Sequence, residues 1–245
     1  MDFSNKVALV TGAAVGIGRA TALQLAERGA DMILLDINEE KLNAVKAECA
    51  ALGRDAQSFV CDISDEAKVN DVIATVMAHF GKIDILVNNA ALWREFTPFT
   101  ELSAEKWHLF FNINVFGTVY VTRAVLPAML TQGFGRVINV ASVAGVYGNG
   151  TMTAYSATKG AVISLTKALA KEVADKGVTV NAISPGSVSD SSDENVDAVT
   201  SSSLSYMGRT GSDRENANLI CFLASEGAGY ISGQNIQIDG CRKRL

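Results

Sequence analysis

The sequence predicts an α/β fold in which a parallel sheet of about seven strands carries helices on both faces. Short β-branched runs alternate with helical stretches, and several of those runs are apolar almost without interruption. A glycine-rich turn joins the first run to the helix that follows it. The strands are expected at Val7–Val10, Met32–Leu35, Ser58–Cys61, Ile83–Val87, Arg136–Val140, Val178–Ile183 and Asn235–Ile238. A continuously apolar strand such as Ile83–Val87 suits burial on both faces, as in a parallel sheet, and right-handed crossovers then put helices above and below it. At 245 residues the chain is normal for one α/β domain, so a single domain over residues 1–245 is expected.

The bulk numbers narrow the functional classes. Hydrophobic residues make up 48% of the chain and the net charge is −5, which suits a large core and gives no general field to attract nucleic acid or anionic lipid. Only the tail Arg242, Lys243, Arg244 is locally basic. No apolar run reaches the roughly 18 residues of a membrane span, and the N-terminus lacks a signal-peptide layout, so a cytoplasmic protein is expected. Cys49, Cys61, Cys221 and Cys241 show no metal-ligand spacing, which argues against a metal site and for small buried apolar residues.

The first chemical motif is Thr11-Gly12-Ala13-Ala14-Val15-Gly16-Ile17-Gly18, between the first strand and its helix. Exposed N–H groups and the positive helix end can hold a pyrophosphate there. Gly12 serves the tight turn, Gly16 lets a cofactor approach, and Gly18 lets the helix pack on the strand. Asp36 ends the second strand 18 residues after Gly18, near the spacing at which a carboxylate accepts hydrogen bonds from an adenosine ribose. The arrangement is that of a Rossmann-type dinucleotide site. A 2′-phosphate would add nearly two negative charges beside Asp36, and neither Val15 nor Ile37 supplies a cation, so NAD(H) is expected over NADP(H).

The second motif is Tyr155 and Lys159, four apart on one helical stretch and so on one face. A neighbouring ammonium and the positive nicotinamide favour the phenolate, which suits a tyrosine acid. Ser142 lies thirteen residues earlier, just past the C-terminal end of the strand Arg136–Val140, where open α/β sheets carry their ligands. Its hydroxyl can hold a carbonyl oxygen beside the phenol.

These motifs, in this order from about Lys6 to Gly240, resemble a short-chain dehydrogenase/reductase of the single-domain branch. The resemblance implies a tetrad of Asn114, Ser142, Tyr155 and Lys159, with Asn114 holding a proton-relay water. It also implies that Asp62-Ile63 flanks the adenine, that Asn88-Asn89-Ala90 lies beside the adenine ribose, and that Pro185-Gly186 turns below the nicotinamide. The cofactor set is then Gly12, Gly16, Ile17, Gly18, Asp36, Ile37, Asp62, Ile63, Asn89, Ala90, Tyr155, Lys159, Pro185, Gly186, Val188 and Ser189. A homotetramer is implied as well, with the helices Val115–Leu130 and Ala154–Lys171 available for packing between subunits.

The chain departs from the family pattern at Asp190, where a threonine commonly contacts the nicotinamide carboxamide. Asp190 can accept from the amide NH2 but cannot donate to its oxygen, so Ser189 or a backbone group is left for that role. Ala91 and Cys241 stand where glycine is common. The Ser- and Asp-rich stretch 187–207 reads as a mobile substrate lid. Trp93, Phe96, Tyr147 and Met152 either line a partly apolar pocket or pack beneath that lid.

The expected activity is NAD(H)-dependent interconversion of a secondary alcohol and a ketone. The resemblance also implies 3-oxoacyl-carrier-protein reductase, sugar or polyol dehydrogenase and hydroxysteroid dehydrogenase as relatives. The first is the main alternative, opposed by Asp36 and by the absence of any basic residue in Met129-Leu130-Thr131-Gln132-Gly133. A non-catalytic NAD-binding scaffold is a further alternative.

Overall fold

The computed structural model describes residues 1–189 and 195–243. Seven strands form one parallel sheet in the order β3-β2-β1-β4-β5-β6-β7. They are β1 (Val7–Thr11), β2 (Asp31–Asp36), β3 (Ala56–Val60), β4 (Ile85–Asn88), β5 (Gly135–Val140), β6 (Val178–Pro185) and β7 (Asn235–Ile238). All seven expected runs are strands, with no end moved by more than two residues. The order reverses between β1 and β4, so the loops after those strands diverge and open a crevice at their C-terminal ends.

The alternation within β1 shows why the strands are apolar throughout. Ala8 and Val10 join a cluster with Leu25, Met32, Leu34, Val45 and Ile220, whereas Val7 and Leu9 face Ile33, Leu35, Val69, Val121 and Val173. The first face is covered by α1 (Gly16–Glu27), α2 (Glu39–Ala51) and α8 (Asp213–Ala224). The second is covered by α3 (Glu66–Phe80), α5 (Thr118–Gln132) and α7 (Thr153–Val173). The two shorter helices are α4 (Ala104–Phe111) and α6 (Ala144–Tyr147). Cys49, Cys61 and Cys221 are buried, and burial pushes their thiols up to about 12, 11 and 12, so they behave as small apolar residues. Cys241 differs in being exposed.

Helix starts follow the expected chemistry. Asn38, Asp65 and Ser103 accept from the N–H groups of Lys41, Lys68 and Lys106, and Ser212 forms a reciprocal capping box with Glu215. Helix α1 is preceded by Val15, which makes no side-chain cap, and α6 and α7 also begin without one.

The helix expected at Val115–Leu130 is longer than its sequence pattern suggests. It begins at Ala104 and runs through a π-helical turn at Asn112–Gly117 into α5, giving 29 helical residues. By length and composition this stretch is sufficient to cross a membrane, which the window reading did not foresee. Asn112, Asn114 and Arg123 interrupt its apolar run, and Val121, Val125 and Met129 are spent on the core beneath the sheet. The wide turn packs closely on the chain after β3. Gly117 lies against Ile63, where an added Cβ would stand 2.7 Å from the Ile63 side chain.

Candidate active site

The crevice at the C-terminal ends of β1, β4 and β5 collects the sequence motifs. At its first wall, Gly12 and Gly16 have left-handed φ values of +63° and +57°. Gly18 has no room for a side chain, since a Cβ would fall 2.0 Å from the Gly12 carbonyl oxygen. The helix therefore sits against the loop as the glycine spacing implies. With no side-chain cap at Val15, the first-turn N–H groups of Gly16, Ile17 and Gly18 are left for a ligand. The loop is supported from β4, where Asn89 donates its side-chain amide to the carbonyls of Thr11 and Gly12, at 3.1 and 3.0 Å. The N–H groups of Asn89 and Ala90 both donate to the Thr11 hydroxyl.

Asp36 stands at the end of β2, half-buried, and its carboxylate accepts from the Ala14 N–H at 3.0 Å and the Asn38 N–H at 2.9 Å. It thus shapes the glycine loop while keeping acceptor capacity on both oxygens. Ile37 beside it is 72% exposed and Val15 is 40% exposed. The nearby Arg19 is held by Glu48 through two contacts of 3.0 and 2.8 Å. Farther along, the Asp62 carboxylate caps Ser64, and Ile63 is buried against Gly117. An uncapped helix end, a loop without side chains and an available carboxylate together fit an adenine dinucleotide.

The second wall is α7. Lys159 is 3% exposed, and its ammonium donates to the Val140 carbonyl at 2.6 Å, at the very end of β5. Burial pushes it down to about 8. Its Nζ lies 5.8 Å from the centre of the Tyr155 ring. Burial pushes the Tyr155 phenol up, and a hydrogen bond with Ser142 opposes that rise. In the protein alone desolvation is the largest influence on Tyr155, and the positive nicotinamide of a bound cofactor would act against it. Ser142 also accepts from the Ala144 N–H at 3.1 Å, which fixes its turn.

Asn114 sits in the π-helical turn, fully buried. Its Oδ1 accepts from the Leu92 N–H at 2.8 Å, and its Nδ2 donates to the Leu92 carbonyl at 2.9 Å and to the Thr158 hydroxyl at 3.1 Å. The side chain is thus committed to protein partners. Its backbone carbonyl, which accepts from Thr118, is the atom left with capacity to hold a water.

The third part of the crevice is the turn after β6. Pro185 accepts from the Val143 N–H, and the Gly186 N–H donates to Ile238. Val188 pairs with Gly211, and the Ser189 hydroxyl lies 2.6 Å from that of Thr210. Ser189 is buried with its hydroxyl on that of Thr210, a contact that leaves the hydroxyl further hydrogen-bonding capacity. Asp190 lies outside the described residues, as does Arg244 of the basic tail. Among the pocket candidates Met152 is buried, while Trp93, Phe96 and Tyr147 are exposed. Tyr147 bonds Gln237, and Arg94 lies over the Trp93 ring at 4.8 Å.

One contributor was missed in the sequence. Gly145 packs so closely on α7 that a Cβ would stand 2.6 Å from the Lys159 carbonyl carbon, so this glycine lets the Ser142 turn meet the helix. Its signal was the small residue three places after Ser142.

With the geometry in view, the comparisons with known proteins agree. A family model described as short chain dehydrogenase matches residues 6–199. The 3-oxoacyl-[acyl-carrier-protein] reductase FabG of Thermotoga maritima is 39% identical over 243 residues, 98% of each chain. The FabG of Escherichia coli is 37% identical with the same coverage. A crystal structure of NAD+-bound xylitol dehydrogenase superposes with a TM-score of 0.90 at 35% identity, covering 98% of this chain and all of the other. A crevice lined by a glycine loop, an acid and a Ser–Tyr–Lys cluster defines a dinucleotide-dependent oxidoreductase. The chain belongs to the short-chain dehydrogenase family.

The depressed Lys159 has a consequence for stability. The folded state binds fewer protons than the unfolded chain between about 8 and the ordinary lysine value of 10.5, so stability rises with pH across that window. Below it, burying the charge costs about 3 kcal/mol. We expect Lys159→Met to raise the unfolding free energy at pH 7 by about 1–3 kcal/mol in urea titrations, with the gain fading above pH 10.

Proposed function

We propose that the protein is an NAD(H)-dependent oxidoreductase that interconverts a secondary alcohol and a ketone. The observation that carries this reading is the buried Lys159 ammonium, held on the Val140 carbonyl at 2.6 Å where β5 ends and 5.8 Å from the centre of the Tyr155 ring, with the Ser142 turn following directly. Bound NAD(H), held by Gly12, Gly16, Ile17, Gly18, Asp36, Asn89 and Ala90, supplies or accepts the hydride. In the reduction Ser142 holds the carbonyl oxygen and Tyr155 gives it a proton. In the oxidation Tyr155 takes that proton back. Lys159, charged below about 8, stabilises the phenolate left between the two steps and binds the nicotinamide ribose. The Asn114 backbone carbonyl positions the water that restores the proton.

Ile37 and Ile63 flank the adenine side in this reading, with Asp62 beside them, and Pro185, Gly186, Val188 and Ser189 frame the nicotinamide. Of the expected lid 187–207, the described residues 187–189 and 195–207 lie beside the substrate in this reading, tied down by the pairing of Val188 with Gly211 and of Thr200 with Thr210. The whole chain works as one cytoplasmic domain and assembles as a homotetramer. Exposed Leu109 and Phe116 on the long helix support that assembly.

NAD(H) is supported by Asp36, by the engagement of Arg19 with Glu48, and by the NAD+-bound state of the xylitol dehydrogenase neighbour. A second reading, 3-oxoacyl-carrier-protein reductase, is favoured by the FabG relatives at 37–39% identity. It is opposed by Asp36 and by the uncharged end of α5. Reduction of a ketoacyl-carrier-protein far faster than of free ketones would establish it instead.

Tyr155→Phe is expected to bind NADH normally yet lose turnover by several orders of magnitude in steady-state assays. In the wild type, kcat/KM for oxidation rises as pH climbs from 7 to 10, because the fraction of phenolate available as base grows, whereas that for reduction holds its plateau, because burial keeps the phenol protonated across this range. Asp36→Ala is expected to erase at least about tenfold of the preference for NADH over NADPH in fluorescence titrations. An unchanged preference would refute the role of Asp36.

A further inference from the structure

Helix α7 carries two buried threonines eight residues apart on one face, Thr158 and Thr166, both with no exposed surface. Each accepts from a buried asparagine. Asn114 Nδ2 reaches Thr158 at 3.1 Å, and Asn139 Nδ2 of β5 reaches Thr166 at 2.9 Å. Each then donates to its own helix, Thr158 to the Tyr155 carbonyl at 2.7 Å and Thr166 to the Val162 carbonyl at 2.8 Å. The second pin ties the helix to the sheet, where Asn139 meets Asn88 and Asn88 meets Thr122. The first ties it to the site.

The direction of every bond at Thr158 is fixed. The Leu92 N–H can only donate, so it assigns Oδ1 of Asn114, and the amide nitrogen must face Thr158. The threonine oxygen therefore accepts, which leaves its proton for the Tyr155 carbonyl. A continuous path runs from the Leu92 loop through Asn114 and Thr158 to the backbone of Tyr155.

We propose that Thr158 is a positioning residue of the reaction, its hydroxyl setting the Tyr155 backbone relative to the Leu92 loop so that the phenol meets the substrate oxygen held by Ser142. This rests on the function proposed above. Without the hydroxyl, the Asn114 amide keeps Leu92 but loses its hold on α7, and the first turns of the helix are free to move by a few tenths of an ångström. Such a displacement weakens proton transfer without touching the cofactor loop, which stands on β1 and β4.

The test compares Thr158→Ala with Thr158→Ser, which differ only in the hydroxyl, and uses Thr166→Ala as the control for loss of a buried pin. Tyr155→Phe is assayed beside them. Thr158→Ala is expected to lower kcat about tenfold with the NADH Kd unmoved, and Thr158→Ser to restore most of it. Thr166→Ala is expected to lose comparable thermal stability while keeping kcat within about twofold. If Thr158→Ala loses stability but keeps kcat, or if serine fails to rescue, the positioning role is overturned while the proposed function stands. If Tyr155→Phe keeps turnover, the proposed function falls and this inference with it.

Discussion

The structure of the site depends on one buried charge. Lys159 holds its ammonium on the Val140 carbonyl, at the point where β5 ends and the Ser142 turn begins. An ammonium in that position is tolerated only if the elements around it leave no alternative, so the sheet, α7 and the turn must all be placed before the lysine can be. Gly145 permits the turn to close on the helix, and the two threonine pins fix the helix along its axis. Burial lowers the lysine and raises the tyrosine beside it, so one cause pushes both groups towards their uncharged forms. Stability is surrendered at the same place where reactivity is gained.

The cofactor side obeys a different constraint, the need to leave donors unclaimed. Asn38, Asp65, Ser103 and Ser212 each satisfy a helix start, whereas α1 begins at Val15 with no cap. Helices α6 and α7 also begin without a side-chain cap, so what distinguishes α1 is the glycine loop that leads into its open N–H groups. Asp36 links the two tasks of that wall, because the carboxylate that organises the Ala14 turn is the same one offered to a ribose. Asn89 braces the loop from the other side of the switch point, so the first and fourth strands act together.

Much of this was legible in the sequence because it rests on local pattern. Strands buried on both faces are written as apolar runs, and Tyr155 and Lys159 share a face because helical spacing requires it. What was not legible depended on long-range packing. At the π-helical turn Asn112–Gly117, Gly117 packs against Ile63, fifty-odd residues away in sequence. The continuity of Ala104–Gln132 is hidden by Asn112 and Asn114, whose side chains read as interruptions until Leu92 and Thr158 are seen to satisfy that of Asn114. The contact between the Ser189 and Thr210 hydroxyls likewise comes from across the turn and has no signal in local pattern. The direction of the Tyr155 shift was also a matter of burial, which a sequence shows poorly.

The central claim is hydride transfer at this crevice, and it is tested most directly by isotope transfer. The protein is incubated with NADH carrying deuterium at the transferring position of the nicotinamide, together with a panel of ketones that includes keto sugars, steroids and 3-oxoacyl thioesters. The account predicts deuterium on the carbinol carbon of at least one product, detected by mass spectrometry and absent with Tyr155→Phe. Tight NADH binding with no label in any alcohol product would contradict it and leave a dinucleotide-binding scaffold in its place.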